Sequence, residues 1–320
     1  MAERPVSMIN IADVAYSRLQ APDLDRMEAF LTDFGLVRAA RTKTALYMRG
    51  TGPGHHIHIT ELGEPKFIGL AFHAQNADDL IQISKADGAT PVETMDEPGG
   101  GQRVRLTDPN GISIEVVHGM AKLEPLGVRA NVMNTGDASR RRAGTRKILK
   151  AGPAHVKRLG HFGIVSPDPA ATVAWYRSTL GFVGSDEIYV DTEDNVMASF
   201  NRVDHGAEYV DHHTFLCVHG MRAGLNHLAF EVADTDDLLI GHDHMKAANS
   251  GSHMWGPGRH VIGAQVFDYW LCPWGHLHEH WTDSDMLNHD HPLALHPRGE
   301  GVVGSQWGPP PTQAFVDQVS

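Results

Sequence analysis

Two histidines and one glutamate lie in stretches of the sequence that read as β-strands, and together they could bind a metal ion. His161 lies in LGHFGIV, His227 in LNHLAFEV and Glu279 in LHEHW. Two imidazoles and one carboxylate that leave other positions open form the ligand set of non-haem Fe(II) sites that handle oxygen. These residue types therefore predict a metal centre, with Fe(II) as the expected ion and Mn(II) as an alternative.

The alternation of side chains along a strand supports this prediction. Successive side chains point to opposite faces, so Glu279 shares a face with Leu277 and Trp281. An inward carboxylate among apolar neighbours is costly unless it is paired or bound to a cation. The neighbouring histidines point the other way and are not predicted to be ligands: His276, His278 and His280.

The two cysteines do not suggest a structural zinc site. Such sites use four tetrahedral ligands, mostly thiolates and imidazoles, whereas Cys217 and Cys272 are far apart in the sequence. Both lie in strand-like runs, and we expect them to be buried free thiols. This cysteine usage is typical of a reducing cytoplasm, where we expect the protein to reside.

An internal repeat indicates how the strands are arranged. Three pairs of segments match: 14–37 with 159–183, 67–89 with 225–249, and 103–119 with 266–282. The first two pairs read as a strand followed by a helix, and the third as two strands joined by a Pro-x-Gly turn. We therefore expect an α+β protein of two tandem modules, each made of paired βαβββ units with mixed or antiparallel sheets.

The repeat also distinguishes positions that maintain the fold from positions that carry chemistry. The first module has Tyr16 and Gly69 where the second has its two histidines, and Glu115 matches Glu279. A duplicated scaffold in which one copy has lost both imidazoles is expected when the ligands serve chemistry. The second module is therefore predicted to be the catalytic one.

We expect the modules to span residues 1–125 and 158–286, with a linker over 126–157. The linker carries a basic cluster: Arg140, Arg141, Arg142, Arg146, Lys147 and Lys150. Because no aromatic residues interleave with these charges, the cluster is predicted to be a solvated surface and not a nucleic-acid site.

The tail over residues 287–320 is rich in Gly, Pro and His and cannot form a core by itself. Two alternatives follow: the tail is disordered, or it wraps back over the second module. Trp307 and Phe315 would be unusual choices for a free tail.

Composition excludes several other classes of function. The 320 residues include 27 basic and 39 acidic side chains, for a net charge of −12, which is unfavourable for binding nucleic acid or an anionic membrane. No apolar run approaches the roughly 18–20 residues that span a bilayer. The first residues do not read as a secretory signal.

The motifs LGHFGIV, LNHLAFEV and GPGRH…FDYWLCPWGHLHEHW resemble the type I extradiol dioxygenases of the vicinal oxygen chelate superfamily, over essentially residues 8–285. The resemblance implies sheets curled round a cavity and a metal bound by His161, His227 and Glu279. It also implies cleavage of a catechol by O2 beside its two hydroxyl groups, and a homo-oligomer. Tyr269, ten residues before Glu279, and His260, nine residues before Tyr269, match catalytic positions of the family.

The family places one more catalytic histidine, an acid–base residue, on the strand before the second metal ligand. The corresponding stretch is YVDHHTFLCV, so either His212 or His213 occupies this place. Neighbours on a strand point to opposite faces, so only one of the two can face the cavity. The pattern of residues that follows favours His212.

Three related kinds of protein are alternatives to a ring-cleaving enzyme. A hydroxyphenylpyruvate dioxygenase would have the same ligands but needs an anchor for a 2-oxo acid and a characteristic C-terminal helix, neither of which is visible. A glyoxalase I would draw its ligands from different modules. A metal-free, ligand-sequestering protein of the bleomycin-resistance type would not require the three ligands together.

Overall fold

The computed structural model describes residues 7–129, 132–136, 141–318 and 320. The first half contains eight strands and two helices. In chain order they are β1 Ile11–Ala21, α1 Leu24–Phe34, β2 Val37–Arg41, β3 Ala45–Arg49, β4 His58–Leu62, β5 Lys66–Ala74, α2 Ala77–Ile83, β6 Glu93–Thr94, β7 Gln102–Thr107 and β8 Ser113–His118.

The second half repeats this order with one extra short strand. Its elements are β9 Val156–Ser166, α3 Pro169–Leu180, β10 Val183–Tyr189, β11 Val196–Arg202, β12 Val210–Asp211, β13 Phe215–His219, β14 Gly224–Val232, α4 Thr235–Ala248, β15 Ser252–His260, β16 Val266–Leu271 and β17 Leu277–Thr282. The tail adds β18 Met286–Leu287, β19 Ala294–Pro297, a 3-10 turn Arg298–Glu300, β20 Ser305–Trp307 and α5 Gln313–Val316.

The two large sheets have the same strand order. The first runs β2-β3-β4-β1-β5-β8-β7-β6, and the second runs β10-β11-β13-β9-β14-β17-β16-β15 with β19 and β20 added at its edges. Both sheets are mixed, since β1–β4, β5–β8, β13–β9 and β14–β17 are parallel pairs among antiparallel ones. The predicted α+β fold with tandem modules is therefore confirmed.

The strand register confirms the residue matches of the repeat. Tyr16 lies opposite Ala71, which lies opposite Glu115. In the second half, His161 lies opposite Ala229, which lies opposite Glu279. The positions that the repeat aligns are thus the same positions in two copies of one sheet.

Capping residues fix the helices that cover these sheets. Asp23 and Asp168 accept hydrogen bonds from backbone N–H groups in the first turns of α1 and α3, and such caps contribute about 1 kcal/mol each. Both helices end at a glycine in the left-handed region, Gly35 and Gly181. There a side chain would be strained.

The two halves share one core through α1, which packs against the back of β17. His280 Nε2 donates a hydrogen bond to the carbonyl of Phe34 (2.6 Å), and His278 packs edge-on against Phe30. These histidines point away from Glu279, as strand alternation predicts. Cys217 and Cys272 are buried free thiols, as expected.

The tail wraps over the second half. Strand β19 pairs in parallel with β10, and β20 pairs with β15. The backbone of Ser320 exchanges two hydrogen bonds with that of Leu225. This resolves the two alternatives for the tail in favour of packing.

The linker is largely exposed where the structure describes it. Arg140 lies outside the described residues, and Lys147 pairs with Asp236 on α4. In the described part of the chain, each helix is too short or too polar to cross a bilayer.

Candidate metal centre

The three predicted ligands converge on one side of the second sheet. His161 Nε2 lies 3.1 Å from Glu279 Oε2, and His227 Nε2 lies 3.5 Å from the same oxygen. One donor atom from each side chain falls within 4.8 Å of the others. The convergence follows from the sheet topology. Strand β14 lies between β9 and β17, and the three side chains lie on the same face of the sheet.

These donors are buried but incompletely satisfied. Among the described residues, His227 Nε2 and Glu279 Oε1 are buried without a hydrogen-bond partner. Leaving buried polar atoms unpaired costs free energy, so we expect an ion or a ligand to bind at these atoms. Two imidazoles around one carboxylate, with atoms left over, fit a divalent cation.

The electrostatics of the centre favour a neutral His227 and an ionised Glu279. Burial lowers the pKa of His227 to about 3, although the charge of Glu279 opposes this shift. Burial alone would raise the pKa of Glu279, but the hydrogen bond and charge of His161, with His260 and His227, hold it well below its usual value. Both side chains are thus in the form that binds metals.

Neighbouring residues orient His227. Its Nδ1 donates to Asn226 Oδ1 at 2.6 Å, which leaves Nε2 as the free lone pair. On the adjacent strand, a Cβ added at Gly163 would lie 2.8 Å from the imidazole ring of His227. Gly163 therefore provides the space that the ligand occupies.

His260 and Tyr269 lie beside the centre. His260 Nε2 is 3.0 Å from the Tyr269 hydroxyl and 3.6 Å from Glu279 Oε1. Tyr269 pairs directly with Glu279 across β16 and β17. Burial and the charge of Glu279 raise the pKa of Tyr269 well above its usual value, so the phenol keeps its proton.

The structure separates His212 from His213. They lie in the connection between β12 and β13, and their rings are nearly perpendicular, with centres 5.3 Å apart. The ring of His213 lies 4.2 Å from that of His161 and lines the cavity, whereas His212 Nε2 is 2.6 Å from Asp186 Oδ2. This geometry does not support the sequence preference for His212, because the connection is irregular and strand alternation does not fix its side chains.

A cavity of about 360 Å³ opens on these residues. Its wall is mostly apolar and includes Met197, Phe200 and Trp255. The tail closes part of the wall with Val303 and Phe315, whose ring centre lies 4.8 Å from that of Tyr269. The sequence singled out Phe315 as unusual for a free tail but did not place it in the cavity wall, since its place depends on the distant pairing of β19 and β20.

Among the residues that the structure describes, no imidazole pair surrounds Glu115, the equivalent glutamate of the first half. Glu115 instead accepts hydrogen bonds from the hydroxyl of Tyr16 and from Arg18, Arg103 and Arg105. Guanidinium groups thus supply the positive charge around this buried carboxylate.

Another group of two histidines and one carboxylate lies on the opposite face of β16. Asp268 is held by His242 Nδ1 (3.0 Å), His253 Nε2 (2.9 Å) and Trp270 Nε1 (2.6 Å). These donors already satisfy the carboxylate, so the group is complete as a hydrogen-bond network.

A larger cavity, of about 630 Å³, lies between the halves around Asp13, His56 and Arg158. The two imidazoles of the metal centre, His161 and His227, line the smaller cavity instead. The side chains of the smaller cavity therefore make it the candidate active site, although the other cavity is larger.

Comparison with known proteins agrees with this architecture. A family model described as the Glyoxalase/Bleomycin resistance protein/Dioxygenase superfamily matches residues 158–277. The chain is 30% identical to Metapyrocatechase 2 of Cupriavidus necator, over 98% of this chain and 94% of that protein. It is 22% identical to the manganese-dependent 2,3-dihydroxybiphenyl 1,2-dioxygenase of Geobacillus genomosp. 3, over 81% of each chain.

A solved structure has the same fold. Homoprotocatechuate 2,3-dioxygenase from Brevibacterium fuscum, in complex with 3,4-dihydroxyphenylacetate, superposes with a TM-score of 0.81 at 22% identity, covering 100% of this chain and 96% of that one. Metapyrocatechase 2 matches 98% of this chain and the manganese-dependent relative matches 81%, and the sheet order and the repeat agree with a tandem-module architecture. The chain belongs to the extradiol dioxygenases of the Glyoxalase/Bleomycin resistance protein/Dioxygenase superfamily.

Proposed function

We propose that this extradiol dioxygenase cleaves a catechol at the ring bond next to its two hydroxyl groups and inserts both atoms of O2 into the product. The observation that carries the proposal is the set of buried, incompletely satisfied donors of His161, His227 and Glu279, which opens on an apolar cavity. The name of Metapyrocatechase 2 supports a catechol as the substrate class.

Extradiol dioxygenases bind a divalent metal, and we propose that His161, His227 and Glu279 hold it here. Fe(II) is the ion we expect, because this ligand set suits non-haem iron that reacts with oxygen. Mn(II) is the alternative, supported by the manganese-dependent relative. When bound, the metal supplies Lewis acidity that favours the ionised diol and a route for electrons from the diol to O2.

His213 is the residue we propose as the acid–base catalyst. It lines the cavity, and burial, with the neighbouring His161, lowers its pKa well below the usual value, so its ring is neutral and ready to accept a proton. It would take a hydroxyl proton from the bound diol and return it to oxygen later in the reaction.

Tyr269 and His260 are proposed to position the substrate. The phenol of Tyr269 keeps its proton and lies within hydrogen-bonding distance of His260 Nε2, so the pair can donate to a diol oxygen. The apolar wall around them excludes water from the reacting atoms and strengthens these hydrogen bonds.

The test is an anaerobic preparation loaded with Fe(II) or Mn(II), mixed with air and a panel of monocyclic and bicyclic catechols. Ring opening gives a conjugated yellow product that absorbance detects. We expect product that requires metal and disappears in Glu279→Gln. The matched control is Glu231→Gln, which changes a carboxylate of surface ion pairs with Lys157 and Arg158 and should leave product formation intact. Metal binding without product from any catechol would refute the proposal.

We also propose a catalytic module over 158–286, a non-catalytic one over 1–125 and a homo-oligomeric assembly. Family resemblance supports the assembly, and light scattering of the purified chain tests it.

A further inference from the structure

A chain of hydrogen bonds connects the cavity to the surface through His213. His213 Nδ1 lies 3.0 Å from His212 Nδ1, and His212 Nε2 lies 2.6 Å from Asp186 Oδ2. The other oxygen of Asp186 lies 2.5 Å from Nε2 of His296, which is half-buried. Three imidazoles and one carboxylate therefore form a continuous series.

The fold holds each member of this series in place. Asp186 lies on β10, and His296 reaches it from β19, which pairs in parallel with β10. Ser185 Oγ donates to the carbonyl of His212 at 2.6 Å, and Arg202 donates to Ser185 Oγ at 3.0 Å. The irregular connection that carries His212 is thus fixed by side chains of β10 and β11.

The carboxylate determines which nitrogen of each ring carries hydrogen. Burial alone would raise the pKa of Asp186, but hydrogen bonds from His212 and His296 hold it below its usual value, so the carboxylate only accepts. His212 must therefore carry hydrogen on Nε2. When the His212 ring carries this one hydrogen, its Nδ1 is an acceptor, and its neighbour must donate to it.

The hydrogen position on His212 in turn determines the one on His213. Its Nδ1 carries the hydrogen that is donated to His212, so Nε2 has a lone pair. Because Nδ1 is occupied, Nε2 is the nitrogen that remains for a molecule in the cavity.

We propose that Asp186, acting through His212, is a positioning residue that fixes His213 in the Nδ1–H tautomer and so leaves Nε2 free to accept a proton from the substrate. In that step the hydroxyl O–H bond breaks, its electron pair stays on oxygen, and a new Nε2–H bond forms on His213. The inference rests on the proposed ring cleavage, to which it adds residues outside the cavity. His296 strengthens the arrangement by holding the second oxygen of Asp186.

The hydrogen positions can be measured directly. Nitrogen-15 NMR of the metal-free protein labelled at histidine distinguishes a nitrogen that carries hydrogen from one that does not, and His213→Gln assigns the signals. We expect the wild type to show His213 with hydrogen on Nδ1 only. In Asp186→Asn, whose amide can donate as well as accept, we expect a mixture of tautomers.

Kinetics provide the second readout. Asp186→Asn should lower kcat by about 10- to 100-fold, within the range for lost acid–base catalysis, while KM stays nearly constant. Asp186→Glu, which restores a carboxylate, should recover part of kcat. Asp268→Asn is the matched control, since Asp268 also holds two imidazoles but lies on the far face of the sheet. It should leave the His213 signals and kcat unchanged.

Two results would overturn the inference: hydrogen on Nε2 of His213 in the wild type, or an Asp186→Asn variant with unchanged tautomers and unchanged kcat. Failure of the proposed function has a different signature. In that case the wild type would cleave no catechol, while the NMR spectra would still report whether Asp186 fixes the tautomer.

Discussion

Glu115 and Glu279 occupy the same position in the two halves, yet they have different partners. Each lies opposite an alanine of the central strand, Ala71 or Ala229. Glu115 is surrounded by guanidinium groups, of which Arg18 is one, whereas Glu279 faces two imidazoles and retains an unpaired oxygen. In the second half we propose that a metal ion provides the positive charge that arginines provide in the first.

The first prediction concerns stability and follows from this contrast. Glu115→Gln removes one partner of a buried ion-pair network and should lower the free energy of unfolding by about 3–5 kcal/mol, while metal binding by the folded protein stays unchanged. Glu61→Gln is the control, because Glu61 also pairs with Arg18 but is about one-third exposed. Urea denaturation measures both, and equal losses in the two variants would contradict the prediction.

Gly163 provides a test of metal affinity that leaves every ligand in place. Gly163→Ala puts a Cβ 2.8 Å from the ring of His227, which must then move. We expect at least a tenfold weaker affinity for Fe(II) or Mn(II), measured by anaerobic calorimetry, in a protein that still folds. At Gly127 an added Cβ meets nothing within 4 Å. Gly127→Ala should therefore bind metal normally, and wild-type affinity in Gly163→Ala would show that the contact is unimportant.

How far the site was predictable differs from residue to residue. The convergence of His161, His227 and Glu279 could be predicted because each lies on a regular strand, where alternation fixes the inward face, and because the repeat shows what the other copy lacks. The sequence could not predict that His213, and not His212, lines the cavity. Both residues lie in an irregular connection, which is held by Ser185 and Asp186. The position of Phe315 in the cavity wall could not be predicted either, because it depends on the tertiary pairing of the tail.

Stability at acidic pH should reflect buried histidines of the first half, such as His56, that are not among the proposed metal ligands. Burial, with a further contribution from His55, lowers the pKa of His56 to about 3. His56 in the unfolded chain therefore binds a proton near pH 6.5, whereas in the folded chain it does not. The free energy of unfolding that depends on neutral His56 is complete above pH 6.5 and is lost as the pH falls towards 3. Each such group changes the free energy of unfolding by at most about 1.4 kcal/mol per pH unit.

Replacing His56 should make the free energy of unfolding depend less steeply on pH. His56→Gln cannot titrate, so its free energy of unfolding should fall less steeply between pH 6.5 and pH 4 than that of the wild type. Urea denaturation of the metal-free proteins at several pH values gives the slopes. Identical slopes would mean that His56 does not stay neutral in the folded state.

Phe315 links the tail to substrate binding. Its ring packs 4.7 Å from that of Trp255 and 4.8 Å from that of Tyr269, and it forms part of the cavity wall. Phe315→Ala enlarges the cavity and admits water, so KM for the preferred catechol should rise several-fold with a smaller change in kcat. Gln313→Ala, an exposed change in the same short helix, is the control. An unchanged KM in Phe315→Ala would remove the tail from the binding site.

The most direct test of the central claim measures bound metal, O2 consumed and catechol cleaved in one preparation of the full chain. Our account predicts one metal ion per chain and one O2 per ring opened, with both lost in Glu279→Gln. Tight metal binding that survives Glu279→Gln together with wild-type turnover would contradict it, because the centre would then lie elsewhere.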